Sequence, residues 1–265
     1  VLAYFQPLTL AALRLFVAFL VWLHAARRLF GMFGGEPAII LTPSWFLGNI
    51  ELVASIALGI GFLTRPFAIV VAVDMLIVYL TQYLPRGLPP LGANLGEQFV
   101  ELAIVSAFLA FAGPGRFSVD TDLKRQYPDA VAPALGEGLS KYYPQALAVN
   151  RILMALLFAD HGLSKLGITD EAEEFMSQAW IAGVVEVFGG AALALGLFTR
   201  PIAFIASGQM AFAYFLSHAP RAFAPIVNNG DRPATYCFFF LFLAAAGPGL
   251  WALDRLRERR QVSSV

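Results

Sequence analysis

Apolar residues gather into eight runs along the chain, at about residues 8–30, 45–64, 66–84, 95–113, 146–166, 178–198, 201–219 and 233–252. The hydrocarbon core of a bilayer takes about 20 residues of α-helix, so each run predicts one transmembrane helix. Pro66 and Pro201 suit a first helical turn, where a missing N–H does no harm. Eight such helices use roughly 160 residues of the chain and leave only short connections.

The polar residues that interrupt these runs recur in the same order. Glu186 is followed by Leu197-Phe198-Thr199-Arg200-Pro201, as Glu51 is by Phe62-Leu63-Thr64-Arg65-Pro66, with identical spacing between. At a rise of about 1.5 Å per residue the glutamate and the arginine of each copy lie roughly 21 Å apart. The register continues: Arg14 matches Arg151, His24 matches His161, Arg28 matches Lys165, Met75 matches Met210 and Tyr79 matches Tyr214. Arg86 then matches Arg221, Asn94 matches Asn229, Gly113-Pro114-Gly115 matches Gly247-Pro248-Gly249, and Asp120 matches Asp254.

The pattern predicts an all-α integral membrane protein, with eight transmembrane helices arranged as two parallel four-helix repeats. An even number of spans per repeat inserts both in the same sense, so the repeats should be related by a pseudo-two-fold along the membrane normal. Residues 1–115 form the first repeat and 145–265 the second, which ends in a basic cytoplasmic tail. Residues 116–144 form a cytoplasmic connector, held at the membrane surface by Phe117, Leu123, Tyr127, Tyr142 and Tyr143.

Composition agrees with a membrane protein. The chain is 58% hydrophobic and 14% charged, against about 45–50% and 25% for soluble domains. Zero formal net charge gives no reason to expect nucleic acid as a partner. Arg65, Arg116, Lys124, Arg125, Lys141, Arg200, Arg255, Arg257, Arg259 and Arg260 collect on the side that holds both termini. Arg27, Arg28, Arg86, Lys165, Arg221 and Arg232 fall on the other, with the acidic loop Asp170, Glu171, Glu173 and Glu174. Positive-inside bias then puts both termini in the cytoplasm. The opening from Val1 has no basic n-region or cleavage site, so the first span is expected to direct insertion. Cys237 stands alone in an apolar run, which excludes an internal disulfide, a C-x-x-C pair and a Cys-ligated iron–sulfur cluster.

Ionisable groups inside spans are costly and mark candidate function. Counting along the runs puts His24, Glu51, Tyr79 and Glu101 in one layer, roughly 6–10 Å below the outer surface. The second half repeats the layer with His161, Glu186, Tyr214 and Tyr236, and adds Asp160 and Lys165. Histidine and carboxylate at one depth suit proton exchange with a quinone headgroup, whose tail would stay in lipid. His24 is expected to approach Glu51, and His161 to approach Glu186; the plainer reading is that each pair only joins two helices. Lys165 either serves a ligand or pairs outward with Asp170 or Glu171. The second half, with His161, Glu186, Lys165 and Asp160 as catalytic candidates, is the one expected to carry chemistry. His24, Glu51, Glu101, Tyr79, Tyr214 and Tyr236 are expected to contribute to cofactor binding.

Arg14 and Arg151 read as anchors that snorkel to the cytoplasmic surface, and Arg65 and Arg200 as caps on a helix C-terminus. Phe238-Phe239-Phe240 and Phe242 read as packing or lipid-facing surface. Bis-histidine haem between His24 and His161 is not expected, because the repeat alone explains their matching depth and nothing else signals a porphyrin pocket. No metal-ligand set is singled out.

The ordered set Arg151, His161-Gly162, Lys165-Leu166, Glu186, Gly189-Gly190, Leu195-Gly196-Leu197, Thr199-Arg200, Met210 and Gly247-Pro248-Gly249 resembles the DoxX family of four-helix bacterial membrane proteins. The first half looks like a diverged copy, with Ala25 after His24 and Arg28 in place of the lysine. It keeps the family's Gly-Pro-Gly-Arg ending better, as Gly113 to Arg116 with Ser118 and Asp120, where the second half has Ala252 for the serine. The resemblance implies a protein similar to the membrane subunit of thiosulfate:quinone oxidoreductase, working with other subunits of a membrane complex. Three readings stay open: a quinone-binding oxidoreductase subunit, a structural accessory subunit of a larger complex, and a small-molecule transporter.

Overall fold

Each long helix stops on a residue whose backbone N–H bonds back into its last turn. The chain, seen as a computed structural model, is described over residues 2–86, 96–129, 135–169 and 172–256. Asn94, Asp170, Glu171, Arg257, Arg259 and Arg260 lie outside the described residues. Helix α1 is Gln6–Phe30, α2 Pro43–Ile60, α3 Thr64–Val78, α4 Glu97–Ala112 and α5 Val119–Gln126. Then follow α6 Tyr143–Lys165, α7 Gln178–Leu195, α8 Thr199–Ala213, α9 Pro225–Asn228 and α10 Asp231–Ala246. The π-helical turns Tyr79–Tyr83 and Tyr214–His218 extend α3 and α8. Regular structure among the described residues is all helical.

Five helical stretches are long and apolar enough to cross a membrane: Leu2–Phe30, Pro43–Ile60, Thr64–Arg86, Glu137–Lys165 and Gln178–Leu195. The other three apolar runs fold as α4, α8 and α10, of 16, 15 and 16 residues. As regular α-helix these are shorter than the ~20 residues that a bilayer takes.

α2 and α7 open alike, with the Thr42 hydroxyl accepting from the Trp45 N–H at 3.3 Å and the Ser177 hydroxyl accepting from the Trp180 N–H at 3.1 Å. Both end on glycine in the left-handed region, Gly61 at φ 70° and Gly196 at φ 66°, where a Cβ would be strained. Neither glycine has room for a side chain: a Cβ on Gly61 would meet Arg14 Nη1 at 2.8 Å, and one on Gly196 would meet Arg151 Nη1 at 2.5 Å.

Arg14, Arg65, Arg151 and Arg200 all serve backbone carbonyls at this end of the molecule. Arg65 donates to Ala110 O (2.6 Å) and Phe111 O (2.9 Å) in the last turn of α4. Arg200 donates to Ala244 O (2.9 Å) and Ala245 O (2.6 Å) in the last turn of α10. The expected C-terminal caps are thus present, on the helix that follows in each half. Arg14 and Arg151 correct the expectation of surface anchors. They are 2% and 0% exposed, Arg14 donating to Pro114 O and Phe117 O and Arg151 to Pro248 O and Trp251 O. A planar guanidinium with five donors satisfies several carbonyls of a Gly-Pro-Gly turn at once, so burial does not leave it unpaired. Asp120 accepts from the Leu63 and Thr64 N–H groups at 2.8 and 2.9 Å, and Asp254 accepts from those of Phe198 and Thr199, both at 2.8 Å.

α1 packs on α2, α3 on α4, α6 on α7 and α8 on α10; α1 also meets α10, and α4 meets α6 and α10. The first and last long helices of each half therefore face the other half, and the middle two lie outside. Phe239, Phe240 and Phe242 are fully buried, Phe239 and Phe242 in this seam. Phe108 of α4 meets Phe242 at 5.2 Å between ring centroids, and Phe238 stacks on Phe16 at 4.4 Å. The phenylalanine run is packing surface. In the connector, Phe117, Tyr127 and Tyr142 are exposed and Tyr143 accepts from Gln6 at 3.1 Å.

Candidate functional site

The polar layer lies at the end of the bundle away from the Thr-Arg-Pro corners. In the second half it is built by a close crossing of α6 and α7. A Cβ on Gly162 would meet Gly183 O at 2.6 Å, and one on Gly190 would meet Ala155 O at 2.7 Å; small residues let two helices approach this nearly. Lys165, one turn beyond His161, thereby reaches across to Glu186, with Nζ 2.6 Å from Oε1. Gln209 of α8 donates to the same oxygen at 3.0 Å. Glu186 is 1% exposed and Lys165 32%, so the lysine bridges from a buried carboxylate toward the mouth of the site.

The first half repeats this in altered form. Arg28 donates to Glu51 Oε1 at 3.0 Å, and Asp74, at the position matching Gln209, interacts with Glu51. Both carboxylates are buried, Glu51 at 1% and Asp74 at 5% exposure.

The expected histidine–glutamate pairs are replaced by cation–glutamate pairs. His24 makes its ring contact with Phe99, 5.3 Å between centroids, while Glu51 takes Arg28. His161 Nε2 lies 3.2 Å from Glu97 Oε1 of the other half, while Glu186 takes Lys165. A carboxylate in a low-dielectric site gains more from a full positive charge than from an imidazole, and here the charge sits one turn further along the same helix. Lys165 accordingly turns inward, to Glu186.

Glu97 joins the halves. Its Oε2 accepts from Arg232 Nη1 at 2.8 Å, and its Oε1 faces His161. Glu101 lies one turn further along α4, fully buried, and neither of its oxygens has a well-formed hydrogen bond. The Tyr236 hydroxyl lies beside it, and the Tyr236 ring meets that of His161 edge-on at 5.9 Å. Tyr79 is buried at 8% exposure. The Tyr214 hydroxyl donates to Phe223 O at 3.1 Å. Asp160 is half-buried beside His161, near enough to Glu97 to act on its charge.

Glu97, Arg232, Asp74 and Gln209 were not among the candidates. Glu97 and Asp231 open matched helices, where an acid reads as dipole compensation. The spacing Glu97 to Glu101 nonetheless puts both carboxylates on one helical face, and Asp74 and Gln209 directly precede the matched Met75 and Met210.

Two cavities open here. One of about 190 Å³ is walled by His161, Lys165, Glu186, Met210, Arg232 and Tyr236. The other, about 660 Å³, is lined by His24, Arg27, Arg28, Arg86, Asp231 and Arg232 among others. Arg232 lines both.

A family model described as DoxX matches residues 146–219. An uncharacterized protein of Haemophilus influenzae is 39% identical over 127 residues, 44% of this chain and 93% of the relative. The inner membrane protein YqjF of Escherichia coli is 30% identical over 131 residues, 46% of this chain and 99% of the relative. The inner membrane protein YphA of the same organism is 30% identical over 126 residues, 42% and 90%. Each matched relative is thus aligned over most of its own length with less than half of this chain. No solved structure matches.

Proposed function

The chain belongs to the DoxX family, and from that premise we propose that it is a bacterial inner-membrane subunit of a redox complex that binds a quinone headgroup in the second half. In this reading the chain spans the membrane eight times, as two parallel DoxX-like repeats. The matched arginine and aspartate contacts at Gly61, Gly196 and the two Gly-Pro-Gly turns support that architecture, as does the half-length of the relatives. The two short helices α4 and α10 reach the interface through their flanking turns, and α8 through its π-helical extension.

The observation that carries the quinone reading is the cavity of about 190 Å³ between α6, α7, α8 and α10. It is smaller than the ~300 Å³ at which pockets begin to enclose whole drug-sized ligands, so it suits a headgroup whose tail stays outside. The residues fit such a group. Lys165, Asn229 and Tyr236 supply donors, and Met210, Ala213 and Pro233 supply apolar wall. A bound quinone would supply two-electron, two-proton acceptance. Lys165 would hold a carbonyl oxygen at the mouth while Glu186, itself accepting from Gln209, fixes its ammonium, and His161, whose Nε2 lies 3.2 Å from Glu97 Oε1, would hand on a proton toward it.

The test is the quinone content of purified protein, read by extraction and mass spectrometry. Wild type should carry quinone, and Lys165→Met should lose it while still assembling. Loss of quinone-linked turnover should follow His161→Gln or Glu186→Gln, with His24→Gln and Glu51→Gln affecting mainly stability. A second reading, the structural accessory subunit, is favoured by the self-contained pairs Arg28–Glu51 and Lys165–Glu186. It would be supported by intact complex without quinone, and by loss of assembly in both sets of variants.

A further inference from the structure

We propose that Glu97, Glu101 and His161 form a binding site for a divalent first-row transition-metal ion at the seam of α4, α6 and α10. This goes beyond the quinone reading and does not rest on it; with the metal bound, His161 and Glu97 are ligands, and the proton hand-on between them belongs to the metal-free protein. One donor atom from each of the three residues lies within 4.8 Å of the others. The two carboxylates stand one turn apart on the same face of α4, and the imidazole enters from the other half.

The shortage of positive charge around Glu97 and Glu101 points to a missing cation. Glu101 is 0% exposed, and neither of its oxygens has a well-formed hydrogen bond, with the Tyr236 hydroxyl beside it; Glu97 Oε1 has none either, with His161 Nε2 3.2 Å away. Arg232 answers one of the two carboxylates through Glu97 Oε2. With Arg232 shared between two buried carboxylates and one tyrosine hydroxyl beside Glu101, the pair is short of positive charge, a costly arrangement in a protein interior. A metal ion between Glu97 Oε1, a Glu101 oxygen and His161 Nε2 would satisfy all three groups at once. A proton on Glu101 is the competing way to neutralise the site.

The repeat shows that this carboxylate is particular to one side. In the matched register Glu97 corresponds to Asp231, Glu101 to Thr235 and His161 to His24. The Thr235 hydroxyl donates to Asp231 O at 2.7 Å and needs nothing more. The second carboxylate is therefore no requirement of the fold at that depth, because the other half closes with threonine.

Two oxygens and one imidazole make a borderline-hard set, which suits Fe(II), Mn(II) or Zn(II) and disfavours ions that need thiolate. His161 and Tyr236 also wall the cavity of about 190 Å³, so a further coordination position would face that opening.

The experiment uses the purified full-length chain, stripped with a chelator and titrated with Co(II) alone. Ligand-field absorption reports an ordered N/O site, and added Zn(II) should displace it. Glu101→Thr places the other half's residue at this position and is expected to fold; it should weaken Co(II) binding by at least about tenfold. Glu101→Gln keeps the shape and should do the same, while Thr235→Ala should bind like wild type. Co(II) should also raise the melting temperature of wild type and leave that of Glu101→Gln unchanged. Absence of Co(II) absorption in wild type, or Co(II) binding by both Glu101 variants as tight as by wild type, overturns the proposal in favour of the proton. Quinone content is read separately on the same preparations, so failure of the metal site and failure of the quinone reading give different results.

Discussion

At the scale of single residues, the buried charges were visible and their partners were not. Glu51 and Glu186 stand out in any apolar run, and depth counting puts a histidine near the level of each. Depth alone cannot say which neighbour a carboxylate takes. Arg28 and Lys165 lie four residues beyond the histidines, and their length lets them turn back into the bundle where a shorter side chain could not. Glu97 escaped notice because the first turn of a helix is where an acid is least informative. The pairs make a specific prediction. Arg28 is 17% exposed and Glu51 1%, and removing one partner of a buried ion pair costs about 3–5 kcal/mol while removing both costs far less. Arg28→Met should therefore lower the melting temperature measured by fluorescence-detected size exclusion, and Arg28→Met with Glu51→Met should recover most of the loss. A double variant no better than the single one would mean that Arg28 acts through packing or through Asp74.

At the scale of helices, the corners were legible and the way they are locked was not. The Thr-Arg-Pro spacing announces a turn with proline in the first helical turn, and helices α3 and α8 begin there. The lock is contributed by residues about 55 positions later, Asp120 and Asp254. Their carboxylates accept from the first N–H groups of α3 and α8, where Leu63 and Phe198 sit at φ 47° and have no side-chain cap of their own. A long-range contact of this kind leaves no local pattern; only the matched position of the two aspartates hinted at it. The π-helical turns Tyr79–Tyr83 and Tyr214–His218 are likewise matched, and no periodicity in the sequence marks them. Loss of a helix N-cap costs about 0.5–2 kcal/mol, so Asp120→Ala and Asp254→Ala should each lower the melting temperature modestly. Being in separate halves, the two losses should add. Metal and quinone content should be unchanged in both, because the aspartates lie at the far end of the bundle; a change in either would show that the corners control the site.

At the scale of the whole molecule, the two halves meet through α1, α4, α6 and α10, and the polar site is made of both: Glu97 and Glu101 from the first, His161, Arg232 and Tyr236 from the second. Reading each half as its own site missed this, because a repeat found in the sequence displays what the copies share and conceals what they exchange. The orientation in the membrane is the remaining consequence of the charge pattern. Arg65 and Arg200, bonded to the last turns of α4 and α10, define one end with the connector helix α5; Arg28, Glu36 and Arg86 line the cavity at the other. Positive-inside bias predicts that the first end faces the cytoplasm. With Cys237 replaced by alanine, Lys124→Cys on α5 and Glu36→Cys at the cavity rim provide one exposed thiol each. A membrane-impermeant maleimide should label Glu36→Cys in intact cells and Lys124→Cys only after permeabilisation. Reversed labelling would invert the orientation and put the quinone cavity near the cytoplasmic leaflet, whereas labelling of both from outside would defeat the eight-span arrangement itself.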